Sequence, residues 1–167
     1  GIRDGSRPEE FTGPARVFES TAECMQAIED RVVQPGDVVV ARNQGLRGGP
    51  AMGGSASVIL FALDAAGLAK TTAFVTDGQL SGLCLKGLTV AEVHPEAATG
   101  GPIGKIRDGD VITISVKNRS IDVDVSADEL GRRNGPGWKT PASGYLDTFR
   151  HDVRDMSTGG VLVPPAE

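Results

Sequence analysis

Apolar residues follow two rhythms along this chain. In the first half, short unbroken apolar runs alternate with stretches of helical spacing. In the second half, apolar and polar residues alternate with period two. "ARVFES" (15–20) predicts a strand. Ser20-Thr21-Ala22-Glu23 is a capping-box pattern, and Met25, Ile28 and Val32 follow at helical spacing, which predicts a helix over 21–32. "QPGD" (34–37) predicts a turn, and the apolar run "VVVAR" (38–42) a strand buried on both faces. "ASVILFALDAAG" (56–67) reads as a helix that is apolar nearly all round and therefore buried, with Gly67 as its C-terminal cap. A short strand over 72–76 follows. "LTVAEV" (88–93), "VITISVK" (111–117) and "SIDVDV" (120–125) read as β, the last two joined into a hairpin at Asn118-Arg119. Ser126-Ala127-Asp128-Glu129 is a second capping box, opening a short helix to about Arg133. "NGPGWKTPASG" (134–144) reads as a loop, and Tyr145, Phe149 and Val153 fit one face of a final helix over about 144–156. Residues 1–12 read as a leader or linker and 13–167 as a single domain without an internal repeat.

Composition narrows the picture. Aromatics are only 4% of 167 residues, so the core must come from Val, Ile, Leu and Ala. A net charge of −5 gives no electrostatic reason to expect nucleic acid or an anionic membrane surface. No apolar run approaches the roughly 18 residues that a membrane-spanning helix needs. Cys24 and Cys84 are the only cysteines and form no CxxC pair, so the expected compartment is the cytoplasm. The 23 glycines cluster at 45–54, 78–87 and 100–109, which points to shaped loops on a rigid scaffold.

Candidate chemistry lies in those loops. In "TAFVTDGQLSG" (72–82) a strand runs into Asp77-Gly78-Gln79, and glycines flank the hydroxyl of Ser81. Such a loop can turn a hydroxyl and several backbone N–H groups toward a ligand. An ordinary strand-to-strand turn is the competing reading. Loops 43–54, 77–87 and 94–104 each follow a strand. If those strands are parallel neighbours, the loops converge at one end of the sheet, where α/β folds bind ligands. Arg42 and Arg47 flank the first loop, which also precedes a helix N-terminus; both features favour an anion. The Gly-Lys-Ser/Thr of a phosphate-binding P-loop is missing. Ser81 has no GxSxG elbow, and the two histidines, His94 and His151, read as a turn residue and a solvated helix residue, so a hydrolase is disfavoured. Asp77 can bind a hydroxyl or simply form an Asx turn. Cys24 reads as core; Cys84 lies in the Ser81 loop, but one thiolate cannot hold an iron–sulfur cluster.

Five segments occur in an order that resembles a known family: "GPARVF", "PGDVVVARNQGLRGGPAM", "VTDGQLSG", "PEAATGGPIGKIRDGDVITI" and "DVSADELGRR". They are similar to the C-terminal domain of the dihydroxy-acid dehydratase / 6-phosphogluconate dehydratase family, over about residues 13–160. The resemblance implies an α/β fold, a swivelling β/β/α domain with a barrel-like mixed sheet and flanking helices. It implies loss of water from a 2,3-dihydroxy acid or sugar acid to give a 2-keto acid. Ser81 corresponds to the proposed base, and Arg42, Gln44, Arg47, Gly49, Asp77, Gly78, Gln79 and Gly82 are expected to contact the small carboxylate substrate. The complete family enzyme uses an iron–sulfur cluster and Mg²⁺. No metal ligand is expected in this chain, because the cluster cysteines and most Mg²⁺ ligands belong to an N-terminal domain or subunit, the expected partner. A homodimer is also allowed.

Three positions depart from the family pattern. Gly54 stands where relatives carry a Mg²⁺-binding Glu, Gln79 where an Arg is common, and Gln44 where dihydroxy-acid dehydratases tend to have Glu. Glycine cannot replace a charged oxygen ligand. A standalone, non-catalytic domain that binds a small anion or a protein partner is therefore the alternative expectation.

Overall fold

In the computed structural model, residues 9–49, 53–82, 87–137 and 143–163 are described. The predicted position of Cys84, the leader up to residue 8 and part of the 134–144 loop lie outside them. Six strands form one sheet in the order β4-β3-β2-β1-β5-β6: β1 (Glu10–Phe18), β2 (Val38–Ala41), β3 (Ala73–Thr76), β4 (Leu88–Val90), β5 (Val111–Ser115) and β6 (Ser120–Val123). The strands β1 to β4 run parallel, and β5 and β6 complete the sheet as an antiparallel pair beside β1. The sheet curls into a half-barrel with flanking helices, the α/β architecture that the sequence resemblance implied.

β2 is buried along its whole length, because each of its faces meets a different core. Val38 and Val40 join Val75, Ile103, Ile112 and Ile114 inside the curl. Val39 and Ala41, with Phe74 of β3, face the helices α1 (Thr21–Glu29) and α2 (Gly53–Ala65) through Cys24, Ile59, Leu60 and Leu63. Ser20 caps α1 by accepting the Glu23 N–H at 3.1 Å, and Ser126 caps α3 (Ala127–Arg132) by accepting the Glu129 N–H at 3.2 Å. Both serines act as N-caps as their sequences predict, while the Glu23 carboxylate of the first box accepts the Glu19 N–H at 3.1 Å.

Several boundaries differ from the sequence reading. β1 begins at Glu10 rather than residue 15, because Glu10 to Pro14 pair with β5. Within that stretch the backbone of Gly13 packs against the turn before β2, where a Cβ would collide with the Gly36 carbonyl. α1 stops at Glu29, since Arg31 adopts a left-handed conformation (φ 59°). That turn buries Val33 and leaves Val32 exposed, so Val33 is the core residue. α2 is not buried all round: Val58 and Phe61 are 42% and 48% exposed. β4 is only three residues long. The hairpin loop spans 116–119, with Arg119 left-handed (φ 55°). The last helix, α4 (Tyr145–Asp152), ends before Val153, which is extended and fully buried. Among the described residues, no helix is long and apolar enough to cross a membrane.

Candidate functional site

Because β2, β3 and β4 are parallel neighbours, the segments that leave their C-terminal ends meet at one edge of the sheet. A single buried side chain ties them together. Asp77, at the end of β3, accepts backbone N–H groups from Asn43 at 3.2 Å, Gln44 at 2.9 Å and Ala97 at 2.9 Å. Those donors belong to the loops after β2 and β4. Asp77 is thus more than an Asx turn. Burial pushes its carboxyl above the ordinary value, and the three N–H donors oppose that rise.

Glu96 does the same work on the other side of the loop after β2, and the sequence reading did not single it out. It is buried, and its carboxylate accepts the Arg47 N–H at 2.8 Å. A Cβ at Gly45 would run into that carboxylate, so the glycine is what lets Glu96 sit inside the loop. Burial raises the Glu96 carboxyl; the Arg47 N–H lowers it, and the nearby Asp77 charge adds to the rise. The available signal was the proximity in sequence of Glu96 to a glycine cluster, which says nothing about the partner loop.

The expected substrate residues divide by placement. Arg42 is turned into the fold. It pairs with Glu19 and donates to the carbonyls of Gly104 at 2.8 Å and Ile106 at 2.7 Å. Gln44 is buried, and its amide bonds the Arg42 carbonyl and the Thr21 hydroxyl. Arg47 extends its guanidinium to the Val153 carbonyl, with Nη2 at 2.9 Å and Nε at 3.3 Å. Gly49 and Gly78 are packing glycines: a Cβ would reach the Asn43 carbonyl at 2.7 Å and the Gln44 Cβ at 2.7 Å, respectively. Gln79 donates toward the Met156 sulfur at 3.9 Å. By contrast, Gly82 is exposed, and a Cβ there would meet nothing within 4 Å among the described residues. Ser81 is partly buried, and its N–H reaches the Ser57 hydroxyl of α2 at 3.4 Å. Ser81 and Gly82 therefore lie beside the early turns of α2, where helix N–H groups favour negative charge. His94 is exposed and His151 is a solvated partner of Asp147, as expected. Cys24 is fully buried and its thiol is pushed up to about 12 by burial.

The described residues at this edge do not fit a metal centre. Asp77 and Glu96 are the buried carboxylates there, and both are bound to backbone N–H groups. Among the described residues, no three His, Cys, Asp or Glu side chains are grouped to hold a metal ion. What this edge offers among the described residues is the Ser81 segment beside α2 and tightly packed glycines.

The fold is an α/β domain whose loops after β2, β3 and β4 meet at the C-terminal edge of parallel strands. The profile of the family described as "Dihydroxy-acid/6-phosphogluconate dehydratase C-terminal" matches residues 4–160, and the chain belongs to that family. It is 41% identical over 160 residues to "Dihydroxy-acid dehydratase 2" of Bordetella bronchiseptica, covering 94% of this chain and 28% of that protein. It is 43% identical over 157 residues to a dihydroxy-acid dehydratase of Pyrococcus furiosus, covering 92% and 28%. A third relative, the dihydroxy-acid dehydratase of Dinoroseobacter shibae, is 41% identical over 161 residues, covering 94% and 28%. The chain thus spans a little over a quarter of these relatives' length.

Proposed function

We propose that this chain is the serine-bearing C-terminal part of a hydro-lyase that converts a 2,3-dihydroxy acid or sugar acid to a 2-keto acid. The observation that carries the reading is the Asp77 clamp, which gathers three loops at one edge, where the Ser81 N–H reaches the Ser57 hydroxyl of α2. In the reaction the C2–H bond breaks and its electrons form the C2–C3 double bond. The C3–O bond breaks with its electrons going to oxygen, and the departing hydroxide becomes water with one proton, which the proton taken from C2 balances; the resulting enol tautomerises to the keto acid. Ser81 Oγ takes the C2 proton. Only an alkoxide is basic enough for that step, and the α2 start supplies partial positive charge at most. The iron–sulfur cluster and Mg²⁺ of the family would supply Lewis acidity, but the buried carboxylates at this edge, Asp77 and Glu96, are bound to backbone N–H groups and do not fit them. On this reading the remaining ligands come from an N-terminal domain or subunit, and the assembled enzyme works in the cytoplasm.

Replacing Ser81 by alanine in the assembled enzyme is the test. Turnover should fall by about a hundredfold to ten-thousandfold, the usual span for a lost general base, with an unchanged unfolding midpoint. Turnover at the wild-type level removes Ser81 from the mechanism.

One observation favours a second reading. Gly54, in the first turn of α2, stands where the family resemblance implies a metal-binding Glu. A domain that lost the metal site would bind a small anion or a protein partner without catalysis. Calorimetric titration of the chain with sugar acids, with and without Mg²⁺, separates the two: magnesium-dependent binding counts against the second reading.

A further inference from the structure

We infer that Arg47 is a positioning residue whose guanidinium fastens the C-terminal segment 152–163 across the Gln79–Ser81 loop. The inference rests on the reading that the Ser81 loop is the working part of the site. Arg47 is held at both ends. Its backbone N–H is bound by the buried Glu96 carboxylate at 2.8 Å. Its guanidinium places two donors on the Val153 carbonyl, and Val153 is fully buried. Charge-assisted bonds of this kind are stronger than neutral ones.

Beyond Val153 the chain doubles back on itself. Arg154 N–H donates to the Val161 carbonyl at 2.9 Å, Val163 N–H to the Asp152 carbonyl at 3.2 Å, and Val153 bridges Leu162. A short 3₁₀ turn, Met156–Thr158, forms the tip, and the left-handed Gly159 and Gly160 turn the chain home. This closed loop touches the site at three places. Arg47 grips its base, Leu46 lies 3.0 Å from where a Gly160 Cβ would stand, and Met156 accepts the Gln79 amide. Arg154, Asp155 and Met156 close a cavity of about 10 Å³ against Arg47, Asp77 and Glu96. That volume holds one water at most, so the joint is tight. Gln79 is two residues before Ser81, so docking of this segment sets where the hydroxyl lies.

Hydrogen exchange on the 167-residue chain tests the inference without any need for activity. Two variants loosen the joint from opposite sides: Arg47→Met removes the grip, and Gly160→Ala adds strain and a contact with Leu46. Each should speed exchange of the 78–81 and 154–163 amides about tenfold, while β2 and β5 keep their protection. If neither variant changes the 78–81 amides, the inference is overturned; if Arg47→Met does not fold, Gly160→Ala alone decides. In the assembled dehydratase both variants should lower kcat about tenfold and leave KM for the acid within about twofold. A raised KM at constant kcat, with exchange unchanged, would make Arg47 a substrate ligand instead. Full turnover in a Ser81→Ala enzyme would sink the dehydration mechanism and leave the exchange result standing.

Discussion

The Asp77 carboxylate accepts the Ala97 N–H at 2.9 Å, linking the end of β3 to a segment twenty residues further along the chain. The same carboxylate holds Asn43 and Gln44. Asp77→Ala would strand three buried N–H donors, each costing about 1–3 kcal/mol when left unsatisfied. Allowing for relaxation and water entry, we expect a loss of about 3 kcal/mol or more in denaturant unfolding. Asp77→Asn keeps one acceptor oxygen and should lose less. Equal stability of wild type and Asp77→Ala would show that the clamp does not hold the loops.

How much of this was visible in the sequence depends on how far apart the partners lie. The strands β2 and β3, the capped starts of α1 and α3 and the direction of the three loops follow from local patterns. Val38 to Ala41 form one apolar run, and Ser20 and Ser126 each precede a Glu by three residues. The conditional expectation that the loops converge holds because β2, β3 and β4 are parallel neighbours. What local patterns do not carry is partner choice. Arg42 and Arg47 look alike beside a glycine-rich loop, yet one is spent on Glu19 and two carbonyls and the other on Val153. Glu96 gave no signal because its partner, Arg47 N–H, is 49 residues away. The left-handed Arg31 shifted the buried position from Val32 to Val33, since periodicity assumes the helix continues.

The glycines of the site should separate under substitution. At Gly78 a Cβ would stand 2.7 Å from the Gln44 Cβ and 2.9 Å from the Gln44 carbonyl. Gly78→Ala should therefore destabilise by about 1–3 kcal/mol, as overpacking does. Among the described residues nothing lies within 4 Å of a Gly82 Cβ, and its φ is not positive. Gly82→Ala should change stability by no more than about 0.5 kcal/mol. In the assembled enzyme it should still raise KM, because the methyl group would occupy space beside Ser81. Unchanged kinetics would place the substrate elsewhere.

Cys24 should be silent until the chain unfolds. It is fully buried on α1, and burial pushes its thiol up to about 12. The thiolate is the reactive form, so almost none is present at neutral pH. Alkylation mapped to Cys24 should track global unfolding and accelerate across the denaturant transition. Labelling of the native chain at the rate of a free thiol would contradict the packing of α1 on β2.

Asp110 should govern stability on the acid side. It stands just before β5 and receives two bonds from the Arg133 guanidinium, which also pairs with Glu129 and so ties the end of α3 to the sheet. Burial alone would raise the Asp110 carboxyl, but the bonds from Arg133 and from the Arg107 N–H outweigh it and hold the carboxyl below its ordinary 3.8. A carboxylate lowered in the folded state contributes stability that is complete above the ordinary value and is lost as pH falls through the folded value. Asp110→Asn should thus be less stable than wild type at neutral pH, with a gap that shrinks as pH drops below about 4. Urea midpoints of both proteins across that range supply the measurement. A gap that stays constant to about pH 2 would mean that ionised Asp110 is not what holds Arg133 and α3 in place.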